Sequence, residues 1–241
     1  MKSTQSVLFI DIENTPIIGY TWGLWEQNVI RKQQDSYLLC AAYKWLGKKG
    51  VKATAQIDSP SYHKDKTNDK NVILELWRVL DQADIVIAHN GARFDLPKIN
   101  SRFISYGITP PSPYKVVDTL QIARKYFKFD SNKLDDLGKQ FGVGRKVETG
   151  GFDLWLDCMA GKEEAWKKMI RYNKQDVALL EEVYLKLLPW ITNHPFIGND
   201  KEECPNCKSK HTQGRGIEKR KGGKQIPRCQ CQDCGKWFYG K

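Results

Sequence analysis

A chain of 241 residues with 40% hydrophobic and 28% charged side chains is too apolar to stay disordered and too short for two full-sized domains, which leaves one substantial core with a small appendage. Lys and Arg number 39 against 28 Asp and Glu, a formal charge of +11, so a polyanionic partner is favoured and nucleic acid is the first expectation. The apolar run at 7 to 12 is interrupted by Asp11 and is too short for a signal or membrane segment, which points to a cytoplasmic protein without a membrane partner.

Residues 6 to 13 are rich in β-branched and aromatic side chains, and 36 to 46 and 51 to 57 repeat that character around the GKKG turn at Gly47 to Gly50. Three consecutive antiparallel strands are predicted there. From 68 to 83 the apolar positions Ile73, Leu76, Trp77 and Leu80 recur at helical spacing, and 84 to 89 reads as a short buried strand. Leu96, Ile99, Phe103 and Tyr106 mark a second helix ending at Gly107, and 115 to 119 a further strand. Helical segments follow around 119 to 128, 133 to 141 and 162 to 190. This order predicts an α/β fold, a mixed sheet of three antiparallel strands then parallel strands, flanked by helices. After Trp190 the helical pattern fails, placing a boundary near 195 to 203 between a domain at 1–195 and an appendage at 203–241.

Asp11 and Glu13 are two apart on a strand and leave one face, while Leu8, Ile10 and Ile12 leave the other. Paired carboxylates beside a buried strand repel each other and lose hydration, and a divalent cation compensates both costs. Read alone, the pair is more readily two solvated turn residues past a fraying strand. Asp95 lies near a helix start behind His89-Asn90-Gly91, with Pro97 in the first turn, and by itself reads as a first-turn acid. Tyr172 and Asp176 are four apart on one helical face, a spacing that a core tyrosine and a solvated aspartate also produce.

Together these segments resemble the DEDD superfamily of 3′-to-5′ exonucleases, in the branch with tyrosine in its third motif. FIDIEN (9–14) is similar to the first motif, AHNGARFD (88–95) to the second and YNKQD (172–176) to the third, with VVDTLQIAR and KLDDLGKQFG between them, over about residues 5 to 190. The resemblance implies a ribonuclease-H-like fold in which Asp11, Glu13, Asp95 and Asp176 hold two Mg²⁺ or Mn²⁺ ions and Tyr172 orients the attacking water. It further implies release of nucleoside 5′-monophosphates from a nucleic-acid 3′ end, single-stranded DNA favoured and RNA also admitted, with a replication or repair protein as a candidate partner. His89 and Asn90 would lie by the cleft. Phe94 and Trp22 are candidates to stack on bases, against core packing as the ordinary use of such rings. Asp118 is similar to a recurrent aspartate of the family and is read here as structural.

Of seven cysteines, Cys40 and Cys158 stand alone and five crowd the last stretch, which suggests metal before disulfides. Cys204 with Cys207 and Cys231 with Cys234 form two Cys-x-x-Cys knuckles, the pattern of a zinc ribbon holding one structural Zn²⁺, with Cys229 and His211 as alternative ligands. Between the knuckles Arg215, Lys219, Arg220, Lys221, Lys224 and Arg228 suit phosphate contact, and Trp237 and Phe238 either stack on bases or brace the ribbon. Two other readings are a nucleic-acid-binding protein that does not cut and a zinc-ribbon interaction adaptor.

Overall fold

In strand β1 (Val7–Asn14) the side chains alternate between two cores: Val7 and Phe9 face one layer of helices, while Leu8, Ile10 and Ile12 face the other. The computed structural model describes residues 6–144, 149–191, 194–195, 203–207, 209–219 and 225–239. Beyond β1 come β2 (Ile18–Tyr20), β3 (Arg31–Gln34), β4 (Leu38–Trp45), β5 (Lys52–Ala55), helix α1 (Lys70–Asp81), β6 (Ile85–Ala88), α2 (Asp95–Ser105) and β7 (Lys115–Asp118). Helices α3 (Thr119–Tyr126), α4 (Leu134–Gln140), α5 (Asp153–Ala160) and α6 (Glu163–Leu187) follow, then β8 (Thr212–Lys219), β9 (Gln225–Cys231) and β10 (Trp237–Tyr239).

The main sheet has the order β5-β4-β1-β6-β7. β1 pairs antiparallel with β4 and parallel with β6, so it joins the antiparallel half to the half built by helical crossovers. This is the mixed, helix-flanked α/β sheet expected from the order of the segments. Helices α1 and α2 cover one face through Val72, Ile73, Leu76, Leu80, Leu96 and Ile99. Helix α6 covers the other through Val177, Leu180, Val183, Tyr184 and Leu187, with the Tyr184 ring meeting Phe9 edge-on at 5.3 Å. Each such buried side chain contributes about 1.5–3 kcal/mol by leaving water.

Helix α2 is fixed to the sheet by a buried ion pair. Asp69, fully buried, accepts hydrogen bonds from the Leu38 amide (2.8 Å), Arg102 Nε (2.9 Å) and the Tyr106 hydroxyl (2.7 Å). Breaking such a pair from one side costs about 3–5 kcal/mol, so the start of α2, where Asp95 sits, is firmly placed.

Three details differ from the sequence expectation. Residues 18 to 34 form a two-stranded hairpin, β2 against β3, where no element was expected. Helix α5 was also not anticipated; it buries only Leu154 and Cys158 and so shows little periodicity. The last long helix stops at Leu187 and continues as a 3₁₀ turn, 188 to 190, because Pro189 cannot continue the helical bonding. The appendage is an antiparallel sheet of order β10-β9-β8. The boundary expected near 195 to 203, and Arg220, Lys221 and Lys224, fall mostly or wholly outside the described residues. Among the described residues no helix is long and apolar enough to cross a membrane.

Candidate metal centre

The face of β1 that carries Val7 and Phe9 carries Asp11 and Glu13 next, and α6 lays Asp176 over the same end of the strand. One carboxylate oxygen from each of Asp11, Glu13 and Asp176 lies within 4.8 Å of the others, with Asp176 buried and the other two half-buried. Three negative charges at that spacing repel by about 3 kcal/mol per pair at an effective dielectric near 20. Hard oxygen donors so crowded fit a divalent cation such as Mg²⁺ or Mn²⁺, which removes the repulsion.

Asp95 does not join the other three within that distance. As first residue of α2 it is buried, and its Oδ1 accepts a hydrogen bond from the amide of Ile12 (3.1 Å), between the two acids of β1. The turn that delivers it is tight: Asn90 takes a left-handed φ of 65°, which asparagine tolerates, and a Cβ on Gly91 would come to 2.2 Å of the Ala88 Cβ. Asp118 holds this turn, accepting from the amides of Asn90 (3.0 Å) and Ala92 (3.2 Å) while capping α3 through the amides of Leu120 and Gln121. Its role is structural, as read from the sequence.

Tyr172, one helical turn before Asp176, is half-buried with its ring edge-on to Trp155 of α5 at 6.2 Å. The helix missing from the sequence reading thus braces the tyrosine. His89 has both ring nitrogens within hydrogen-bond distance of protein oxygens, Nδ1 with Thr119 Oγ1 (2.9 Å) and Nε2 with the carbonyl of Asn132 (3.0 Å). That geometry ties β6 to α3 and to the loop before α4. Phe94 stands exposed just ahead of Asp95, and Trp22 is exposed on the hairpin, so neither is a core ring.

One residue of the centre was missed. Asn173, fully buried on α6, donates from Nδ2 to Asp11 Oδ2 (2.7 Å) and to the Asp11 carbonyl (3.3 Å), while its Oδ1 accepts from the Cys40 thiol (3.6 Å). Its place inside YNKQD, three residues before Asp176, was the available signal. Asn173 is a positioning residue, and Asn173→Ala is expected to weaken Mn²⁺ binding by about ten- to a hundredfold in a calorimetric titration. An unchanged affinity would show that Asp11 is oriented by other contacts. Cys40 itself is inert, since burial pushes its thiol well above the ordinary range, and burial raises Cys158 to about 12.

In the appendage, sulfur atoms of Cys204, Cys207, Cys231 and Cys234 lie within 4.8 Å of one another, with Cys204 to Cys234 at 3.6 Å and Cys207 to Cys231 at 3.5 Å. A tetrahedron with metal–sulfur bonds of about 2.3 Å has edges of about 3.8 Å, so this set fits a tetrahedral metal. Cys229 is outside the cluster, and His211 is turned to Asp233 (3.0 Å). Arg228 lies over the Trp237 ring at 4.9 Å, and Arg215 donates to Gln230 (3.1 Å).

Comparison with known proteins follows the same lines. A 136-residue stretch is 34% identical to DNA polymerase III PolC-type of Ureaplasma parvum serovar 3, covering 55% of this chain and 9% of that protein. The family B DNA polymerase of the hyperthermophilic archaeon Pyrobaculum calidifontis superposes with a TM-score of 0.59 at 17% identity, over 77% of this chain and 25% of the polymerase, which is a likeness of fold. The chain therefore spans only a small part of either relative. Residues 8–188 match the RNase H superfamily model, well over half of the chain, and the protein is accordingly a member of the RNase H superfamily.

Proposed function

We propose that the protein is a metal-dependent 3′-to-5′ exonuclease of the tyrosine-bearing DEDD type, acting on nucleic-acid 3′ ends, single-stranded DNA foremost. The observation that carries this reading is the meeting of Asp11, Glu13 and Asp176 from β1 and α6, with Asp95 bonded to the backbone between the first two. Asp11, Glu13, Asp95 and Asp176 would hold two Mg²⁺ or Mn²⁺ ions. Bound there, the ions would neutralise charge at the attacking and leaving oxygens of an in-line displacement. Tyr172, held by Trp155, orients the water; a phenol is a weak base near neutral pH, so orientation is a better role than proton abstraction. The water oxygen bonds to phosphorus, the bond to the 3′ oxygen breaks, that oxygen takes a proton, and a nucleoside 5′-monophosphate leaves. Asn90 and Phe94, beside Asp95, contact the terminal nucleotide, and His89 shapes that wall through its bonds to Thr119 and Asn132.

Zn²⁺ is the metal proposed for the four cysteines, because thiolates suit it and the ribbon has few apolar side chains to fold without it. The ribbon, 203–241, and the catalytic domain, 1–195, act on one strand, and the likeness to two DNA polymerases supports a replication or repair setting with a partner protein. A 5′-labelled panel of single-stranded DNA, single-stranded RNA, blunt duplex and 3′-overhang duplex, with Mg²⁺ or Mn²⁺, tests the proposal. Ladders shortening from the 3′ end, fastest on single strands, support it; no cleavage in any lane overturns it.

A further inference from the structure

The tip of the β2–β3 hairpin leaves Trp22, Leu24 and Trp25 in solvent at 89%, 92% and 83% exposure, with Tyr20, Val29 and Ile30 more than half exposed. Large apolar side chains gathered in this way on one hairpin are expected only where something else covers them. The tip is a built turn: Thr21 Oγ1 donates to the Gly23 carbonyl (2.8 Å), Gln27 Nε2 to the Trp25 carbonyl (3.0 Å), and the Ile30 amide to the Tyr20 carbonyl (2.8 Å). Gly19 lets the two strands cross closely, since a Cβ there would meet Val29 Cγ1 at 2.4 Å.

The hairpin grows directly out of the acid cluster. Two residues past Glu13, Thr15 and Tyr37 exchange hydrogen bonds (Thr15 amide to Tyr37 carbonyl 2.9 Å, Tyr37 amide to Thr15 Oγ1 3.1 Å), continuing the β1–β4 ladder outward. From Glu13 to Tyr20 is seven steps of chain, at most about 23 Å when extended. Along the stem Tyr20, Arg31, Lys32 and Gln33 line a shallow hollow of about 530 Å³, with a ring for a base and two cations for phosphate, Lys32 exchanging its exposed ion pair with Asp35 for one.

We infer that this hairpin is a grip for the unpaired strand upstream of the scissile 3′ end, with Trp22 and Trp25 stacking on bases and Arg31 and Lys32 meeting the phosphates of the stretch between tip and centre. The inference rests on the exonuclease reading for the polarity of the strand, and it commits to nucleic acid because an aromatic tip and a cationic stem share one exposed hairpin that leaves β1 just past Glu13. Stacking on indole is sequence-tolerant, as suits an exonuclease that meets any base in turn.

The test uses the full chain and two probes: a fluorescent single strand of about 12 nucleotides, long enough to span the hairpin, and a dinucleotide, too short to do so. Trp22→Ala/Trp25→Ala, at exposed positions, is expected to bind the long strand about ten- to a hundredfold more weakly with Ca²⁺ in place of Mg²⁺. Dinucleotide hydrolysis should stay within twofold of wild type. Arg31→Ala/Lys32→Ala should also weaken long-strand binding and flatten its salt dependence. Equal binding of the long strand by wild type and the tryptophan variant overturns the inference. So does a wild-type dimer in sedimentation that the tryptophan variant abolishes, which would assign the patch to a second copy of the chain. Because the reading is of binding, it stands apart from the cleavage panel that judges the exonuclease proposal.

Discussion

Replacing Asp176 by asparagine is expected to lower strand hydrolysis by at least about a thousandfold, some 4 kcal/mol of transition-state stabilisation. The substitution keeps the shape of a buried side chain and removes one of three negative charges gathered within 4.8 Å. In chelator the same change should leave the melting temperature equal to or above that of wild type, because it relieves repulsion of about 3 kcal/mol with each of Asp11 and Glu13, discounted for relaxation. A carboxylate kept for structure would behave the opposite way, with stability falling and catalysis following it. Activity lost while stability is gained is the sign of a cluster maintained for its cation. Hydrolysis within tenfold of wild type would remove Asp176 from the chemistry.

What the sequence discloses about this centre is what short-range periodicity can carry. Alternation along β1 places Asp11 and Glu13 on one face, and the spacing of Val177, Leu180, Val183, Tyr184 and Leu187 sets the buried side of α6 on which Asp176 also sits. Two elements of the fold and two long-range contacts escape because no local period marks them. The WGLWEQN stretch neither alternates nor repeats at helical spacing, since its large side chains face solvent instead of a core. Helix α5 is eight residues long with two buried positions, too few to show a period. Asn173 reaches Asp11 across 162 positions of chain, and Lys236 reaches Leu188 across 48; neither partner is visible to a reading of local spacing. The same limit applies to Asp95, whose first-turn position was legible but whose bond to the Ile12 amide was not.

Lys236 leads to the second large effect, loss of the metal proposed for the four cysteines. Its ammonium is nearly buried and donates to the carbonyls of Leu188 (3.1 Å) and Ile191, where α6 and its 3₁₀ extension end. Carbonyls at a helix end carry partial negative charge, so the cation both finds acceptors and complements the dipole. It reaches them only while the turn from Cys231 to Lys236 is closed, with the Cys231 amide bonded to the Lys236 carbonyl (2.8 Å), and that turn carries two of the four cysteines. Within the described appendage Cys204, Cys231 and Lys236 are the buried residues, so apolar burial contributes little, and the metal proposed for the four cysteines would supply the folding free energy, of order 10–16 kcal/mol in small zinc domains. Cys231→Ser is therefore expected to unfold the ribbon as a unit: amides at 209–219 and 225–239 should exchange within seconds, while β1, β6 and α6 keep their protection. Freed of its docking partner, the end of α6 should lose protection at Leu188 to Ile191 as well, marking the path from metal to catalytic domain. Dinucleotide hydrolysis should persist, because among the described residues the acid cluster draws no ligand from the ribbon. Protection of the ribbon retained in Cys231→Ser, or in wild type after chelation, would show that its strands stand without the metal.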